Sequence, residues 1–334
     1  ALVIMPTGGG KSVCFQLPAI IKEGFALVIS PLISLMNDQV RSLRANGINS
    51  GALHSGTSAE ESREIMYHIH NGTLKILYVS PERALTPKFL EFIAPLKVSL
   101  IAIDEAHCVS IWGNDFRPEY AQLPGLMQYF PDVPVLALTA TADRATQEDI
   151  RQQLRLKEPK TYLSSFERSN IQLSVRAGIQ RIEQIKDFIK ARKGQAGIIY
   201  CLARKTTESI AEALQKYGYK AAAYHAEIDN TTRKKVQEDF QFDRLQIVCA
   251  TIAFGMGIDK PNIRWIIHYN LPKNIENYYQ EIGRSGRDGQ PAEALMFYSF
   301  RDISVYKEFI EQSEANETFK RVQAEKLERI WEYS

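Results

Sequence analysis

Residues 101–120 read IAIDEAHCVSIWGNDFRPEY. The stretch opens inside an apolar run, residues 99–104, whose continuity suits a strand buried on both faces of a parallel sheet. Two adjacent carboxylates, Asp104 and Glu105, end the run, and His107 follows. Trp112, Phe116, Arg117 and Tyr120 come within the next dozen residues. Adjacent acids at the end of a buried strand suit a divalent cation and a water held at a sheet edge. An aromatic and basic loop directly after them suits stacking of bases and holding of phosphates. The stretch is therefore expected to join nucleotide hydrolysis to nucleic-acid contact.

The flanking sequence repeats the same alternation. Apolar runs at residues 2–5, 26–30, 75–80, 99–104 and 133–139 are separated by amphipathic stretches such as 31–46, 59–70 and 118–130. Short apolar runs alternating with helical patterns imply βαβ units and a parallel sheet covered on both faces. The pattern breaks around residues 159–171, where a linker is expected, and then resumes. Strands at 172–176, 196–201, 220–225, 245–251, 265–269 and 292–299 alternate with helices at 179–192, 205–217 and 231–240. The expected fold class is α/β, with two RecA-like parallel-sheet domains, residues 1–163 and 164–300. Residues 301–334 are expected to form a short helical tail, read as packed on the second domain rather than as a partner-binding helix.

Bulk properties bound the function. The 334 residues suffice for two cores, and 45% hydrophobic with 24% charged residues is ordinary for a globular protein. No apolar run reaches the length of a membrane span, so no membrane partner is expected. The net charge of +2 leaves nucleic-acid binding to a local basic groove. Cys14, Cys108, Cys201 and Cys249 form no C-x-x-C pair, which argues against a zinc site or a disulfide framework and for an intracellular, reducing compartment. The chain begins at Ala1 inside a strand, as a fragment would.

A second motif completes the site. Pro6-Thr7-Gly8-Gly9-Gly10-Lys11-Ser12 follows a strand and opens a helix. Glycines let successive backbone N–H groups face a phosphate, and the helix N-terminus adds partial positive charge. Thr7, Gly8, Gly9, Gly10, Lys11 and Ser12 are therefore candidate nucleotide contacts. Lys11 is placed to reach the outer phosphates, and Ser12 with Asp104 to hold Mg²⁺. Met5 stands where the strict pattern has Gly, and a Gly-rich turn without phosphate is the alternative. Glu105 is the candidate for orienting or deprotonating the attacking water. In the second half, Gln280, Arg284 and Arg287 are spaced to share one face of a continued helix, which Gly283, Gly286 and Gly289 oppose. The two arginines suit stabilisation of charge on a transferring phosphoryl group, or contact with a nucleic-acid phosphate.

Asp-Glu-Ala-His together with the phosphate loop resembles the superfamily 2 helicases. CVSIWGNDFRPEY, residues 108–120, resembles the aromatic-rich loop of the RecQ family of DNA helicases. Further pieces fall in the same order: SPLISLMNDQV (30–40), YVSPERAL (78–85), ALTATA (137–142), FGMGIDKP (254–261) and YQEIGRSGRDG (279–289). The resemblance covers nearly the whole chain. It implies ATP and Mg²⁺ as cofactors, ATP between the two domains, and Arg287 as arginine finger with Arg284 beside the γ-phosphate. It also implies Asp259 orienting these arginines or the ribose, and His107 coupling the loop to the nucleotide. Trp112, Phe116 and Arg117 would bind single-stranded or partly duplex DNA, although aromatics at such spacing also suit a core. The implied activity is 3′-to-5′ translocation and duplex unwinding in repair and recombination. Ile111 and Asn114 depart from the Gln and His usual there. The family's adenine-reading segment would precede the phosphate loop, and its zinc module would follow near Ser334. Two rivals remain: a nucleotide-gated module that binds or anneals DNA without unwinding, and an RNA-dependent ATPase.

Overall fold

The computed structural model describes residues 1–110, 117–165, 167–252, 254, 260–313 and 317–334. The chain divides into two compact units, residues 1–166 and 167–334. Each is a parallel sheet with helices on both faces, the α/β architecture expected from the alternation.

In the first unit the order is β1 (Leu2–Ile4), α1 (Val13–Ile21), β2 (Phe25–Ile29), α2 (Ile33–Ala45), β3 (Ser50–Leu53), α3 (Ala59–His70) and β4 (Ile76–Val79). It continues through α4 (Pro81–Ala84), α5 (Pro87–Ile93), β5 (Val98–Ile103), α6 (Leu123–Met127), β6 (Val135–Thr139), α7 (Arg144–Gln153) and β7 (Thr161–Leu163). The sheet runs β3-β4-β2-β5-β6-β1-β7, with parallel pairing throughout. Alternate residues of one strand serve opposite faces. Phe25, Leu27 and Ile29 enter one apolar cluster, while Ala26 and Val28 enter the other. Burial of a Leu, Ile or Val is worth roughly 1.5–3 kcal/mol, so a strand covered on both sides reads as an unbroken apolar run.

The topology sets the site. β6 lies between β1 and β5, so the segments leaving β1, β5 and β6 meet at one sheet end. Met5 N donates to Thr139 O at 3.1 Å, and Asp104 N to Ile29 O at 2.9 Å, which carries the ladder to those exits. In parallel sheets, ligands bind beyond the carboxyl ends of the strands where the order reverses.

The second unit comprises β8 (Ile171–Ala177), α8 (Arg181–Lys190), β9 (Ala196–Tyr200), α9 (Arg204–Lys216), β10 (Ala221–Tyr224), α10 (Asn230–Gln241) and β11 (Ile247–Ala250). After these come β12 (Ile263–His268), α11 (Ile275–Ile282), β13 (Ala292–Tyr298), α12 (Phe300–Gln312) and α13 (Glu317–Tyr333). Its sheet order is β10-β11-β9-β12-β13-β8, also parallel. The tail helices belong to this unit. Leu327 and Ile330 of α13 are buried with Tyr278 and Ile282 of α11 and with Ala294 and Met296 of β13. Asp302 of α12 is buried, accepts from Arg181 Nη2 at 2.9 Å and from Asn270 Nδ2 at 2.8 Å, and fastens the tail to the sheet.

Several expectations shift. The amphipathic stretch 118–130 is not one helix: a 3₁₀ turn at Tyr120–Gln122 leads into the short α6, where Pro124 lies in the first turn. The strand β3 and the helices α4, α5 and α7 are additional elements, and β7, paired with β1, falls inside the stretch 159–171 expected as a linker.

Candidate functional site

The phosphate loop leaves β1 at Met5 and enters α1 at Val13. Gly8 and Gly10 hold φ of +79° and +84°, a region that side-chain-bearing residues avoid. Gly9 passes so close to Pro6 that a Cβ would lie 2.9 Å from its carbonyl oxygen. The N-terminus of α1 has no side-chain cap and no acid in its first turn, and its first N–H groups, of Val13 and Cys14, donate to the Gly10 and Lys11 carbonyls at 2.9 and 3.1 Å. Gly8, Gly9 and Gly10 are exposed, while Thr7, Lys11 and Ser12 are half-buried. Lys11 Nζ folds back over the loop, donating to the carbonyls of Met5 at 3.3 Å and Pro6 at 3.4 Å.

Asp104 and Glu105 leave β5 at the same sheet end. Asp104 is half-buried. Burial and the Glu105 carboxylate beside it push the Asp104 carboxyl up to about 7, while the Lys11 ammonium and the Ser30 hydroxyl work against that rise. A cation supplied here would reverse the balance. Glu105 adopts the left-handed conformation, φ 48° and ψ 47°, which costs on the order of 1–3 kcal/mol for a non-glycine residue. Its Oε2 is buried and meets His107 Nδ1 at 3.3 Å, with no closer hydrogen-bond partner among the described residues.

His107 is buried beside it. Its Nδ1 lies 3.3 Å from Glu105 Oε2 and 2.9 Å from Thr139 Oγ1. Thr139 Oγ1 also donates to Thr141 O at 3.0 Å and accepts from Thr141 N at 3.2 Å. With the single threonine hydroxyl proton directed at the Thr141 carbonyl, the contact to His107 requires the tautomer protonated at Nδ1. A polar chain thus runs from Glu105 through His107 to Thr139 and Thr141, from the exit of β5 to the exit of β6. Thr139 lies within ALTATA, residues 137–142; its contact with His107 needs the β5–β6 pairing and is invisible in one dimension.

The return from the aromatic loop is anchored on the same strand end. Tyr120 is fully buried, and its hydroxyl donates to Asp104 O at 3.0 Å. Arg117 N donates to Cys108 O at 2.8 Å, and its guanidinium to Pro31 O at 3.1 Å, at the entry to α2. Trp112 and Phe116, with Ile111 and Asn114, lie outside the described residues, as does Asp259.

In the second unit the structure corrects the shared helical face. Helix α11 ends at Ile282, so Gln280 lies on the helix, whereas Arg284 and Arg287 lie in the turns that follow. Arg284 is buried near the Tyr200 hydroxyl, and its Nε has no partner among the described residues. Arg287 is half-buried. Around them His268 Nε2 meets Glu281 Oε2 at 2.7 Å, and His268 stacks on Tyr200 with ring centroids 5.6 Å apart.

Among the described residues no group of three or more His, Cys, Asp or Glu side chains is placed to hold a metal ion. Mg²⁺ held mainly by substrate phosphates needs only one or two protein ligands. Asp104, with a hydroxyl from Ser12, fits that demand.

Residues 1–150 match the DEAD/DEAH box helicase family, and residues 180–289 the helicase conserved C-terminal domain. The ATP-dependent DNA helicase RecQ of Haemophilus influenzae is 50% identical over 335 residues, covering 100% of this chain and 54% of the relative. The chain belongs to the RecQ helicase family. The same-named RecQ protein of Bacillus subtilis is 43% identical, across 99% of this chain and 56% of its own length. This RecQ core therefore spans about half the length of the relatives it matches. Among solved structures, the Mycobacterium smegmatis helicase Lhr bound to single-stranded DNA and AMP-PNP superposes with a TM-score of 0.72 at 23% identity, covering 93% of this chain and 45% of that one. Dbp5 of Saccharomyces cerevisiae, bound to RNA and ADP BeF3, gives 0.69 at 16%, over 98% and 88%. At these identities the likeness shows the RecA-like fold alone. No helix among the described residues is long and apolar enough to cross a membrane.

Proposed function

We propose that this RecQ core is an ATP-dependent DNA helicase motor that moves 3′-to-5′ on single-stranded DNA. The observation that carries the reading is Glu105: a strained turn at the end of β5 holds its carboxylate next to Asp104, whose own carboxyl feels the Lys11 ammonium, and 3.3 Å from His107 Nδ1. Thr7, Gly8, Gly9 and Gly10 offer backbone N–H groups to the phosphates, with Lys11 on the outer ones. Ser12 and Asp104 would hold Mg²⁺, which when bound neutralises charge on the β- and γ-oxygens. Glu105 takes the proton of the attacking water as the water oxygen bonds to the γ-phosphorus. The bond from that phosphorus to the bridging oxygen breaks, and ADP leaves with the electron pair. Arg287 of the second unit supplies the finger cation in the transition state. Arg284, buried against Tyr200, and Gln280 complete that side, with Asp259 orienting the arginines or the ribose. His107 and Thr139 carry the state of Glu105 to the segment after β6. Trp112, Phe116 and Arg117 bind the DNA strand.

The relatives' names as DNA helicases favour DNA over RNA, and ATP as the nucleotide. A role in repair and recombination, within the cell, follows from the same resemblance. The test is ATP turnover with single-stranded DNA, with RNA and without nucleic acid, alongside strand separation. DNA is expected to stimulate turnover and RNA not. Stimulation by RNA alone overturns the reading, and DNA-stimulated hydrolysis without strand separation favours a nucleotide-gated binding module. Trp112→Ala is expected to lower DNA stimulation while sparing basal turnover.

A further inference from the structure

The segment that enters the second unit grips the arginine loop by its backbone. Arg168 Nη1 donates to Gly283 O at 3.4 Å, and Nη2 donates to Ser285 O at 3.1 Å and Gly286 O at 3.2 Å. Asn170 Nδ2 donates to Gly286 O at 2.9 Å and Gln290 O at 3.0 Å. The two side chains also meet, Arg168 Nε donating to Asn170 Oδ1 at 3.4 Å. Helix α11 has just ended at Ile282, and the carbonyls beyond it have no helical partner. A guanidinium there satisfies several of them at once and places a cation at the negative end of the helix.

The fit leaves little room. Gly286 holds φ of +56°, and a Cβ on it would lie 2.5 Å from Asn170 Nδ2 and 2.8 Å from Gln290 O. Backbone bonds lock the frame, Gly286 N to Ile263 O and Ala292 N to Asn170 O, both at 2.9 Å. The gripped positions are 283, 285, 286 and 290, and the two arginines stand between them at 284 and 287. The loop's path is thus set from outside by side chains that lie more than a hundred residues earlier in the chain.

We propose that Arg168 and Asn170 are positioning residues for phosphoryl transfer, acting through the aim of Arg287. The proposal rests on the reading of Arg287 as the finger. A displacement of about 1 Å in a catalytic group costs about 10²-fold in rate, and loss of Arg168 removes its bonds to the Gly283, Ser285 and Gly286 carbonyls, on either side of Arg284 and just before Arg287. The test is a double-mutant cycle in DNA-stimulated ATP turnover with Arg168→Ala, Arg287→Ala and both together. Arg168→Ala is expected to lower kcat by about 10- to 100-fold, with KM for ATP and single-stranded DNA affinity within about threefold of the parent. Added to Arg287→Ala, it is expected to cost nothing more. Arg168→Lys, which reaches fewer carbonyls but keeps the cation, is expected to restore part of kcat. Should Arg168→Ala fail to fold by thermal melting, Arg168→Lys and Asn170→Ala carry the same cycle. Multiplying losses in the double variant, or kcat unchanged in the single one, overturns the positioning role. Full turnover in Arg287→Ala overturns the finger itself and the proposal with it, and that outcome is told apart because it appears with Arg168 intact.

Discussion

At Asp104 and Glu105 the residues' chemistry conflicts with their surroundings. Asp104 keeps its proton far above the ordinary carboxylate range because burial and Glu105 disfavour its charge. Below about pH 4 the carboxyl is neutral in folded and unfolded chain alike and costs nothing. Between pH 4 and about 7 the unfolded chain releases the proton while the folded one retains it, so stability falls as pH rises. Asp104→Asn is therefore expected to raise stability of the nucleotide- and metal-free protein by roughly 2–4 kcal/mol at pH 8 and hardly at all at pH 4. Melting temperatures across that range check this; an equal shift at both pH values would contradict it. Glu105→Gln is expected to retain nucleotide binding and lose about 10²–10⁴ in turnover. Thr139→Val removes the hydroxyl that accepts from His107 and is expected to cut DNA-stimulated kcat about tenfold, whereas Thr139→Ser retains it. Equal rates for parent and Thr139→Val would show the His107–Thr139 link to be idle. The acids, the lysine and the histidine were readable from residue type and spacing. The left-handed turn of Glu105 and the threonine partner of His107 were not, because they arise from backbone strain and strand pairing.

At the scale of elements, periodicity was a good guide where a segment packs by one stripe or two faces, as in β2, β9, α3 and α9. It failed where packing is local. β3 is Ser-Gly-Ala-Leu, with no β-branched or aromatic residue to mark it. α11 stops at Gly283, so three residues at helical spacing end in different structures. The two tail helices show what spacing alone leaves open. Their apolar stripe was legible, but the buried Arg181–Asp302 pair that docks α12 joins residues 121 apart. Asp302→Ala leaves the Arg181 guanidinium without its carboxylate and removes the acceptor of Asn270 Nδ2. It is expected to destabilise the second unit by about 3–5 kcal/mol, read as a lower unfolding midpoint in urea. A loss under 1 kcal/mol would mean that the tail is held by α13 alone.

For the whole molecule, two RecA-like units and the order of their motifs could be read from the alternation and from the resemblance to RecQ. The fold itself is shared with a DNA-bound and an RNA-bound neighbour, so architecture does not choose the nucleic acid. The proposed function asks Lys11 and Glu105 of the first unit and Arg287 of the second to act on one nucleotide. The most direct measurement is steady-state ATP hydrolysis with saturating single-stranded DNA, comparing the parent with Arg287→Ala, together with the nucleotide affinity of each. If the second unit supplies the finger, Arg287→Ala binds ATP as the parent does and turns it over about 10³-fold more slowly or worse. Turnover within a few-fold of the parent at equal ATP affinity would contradict a site built from both units.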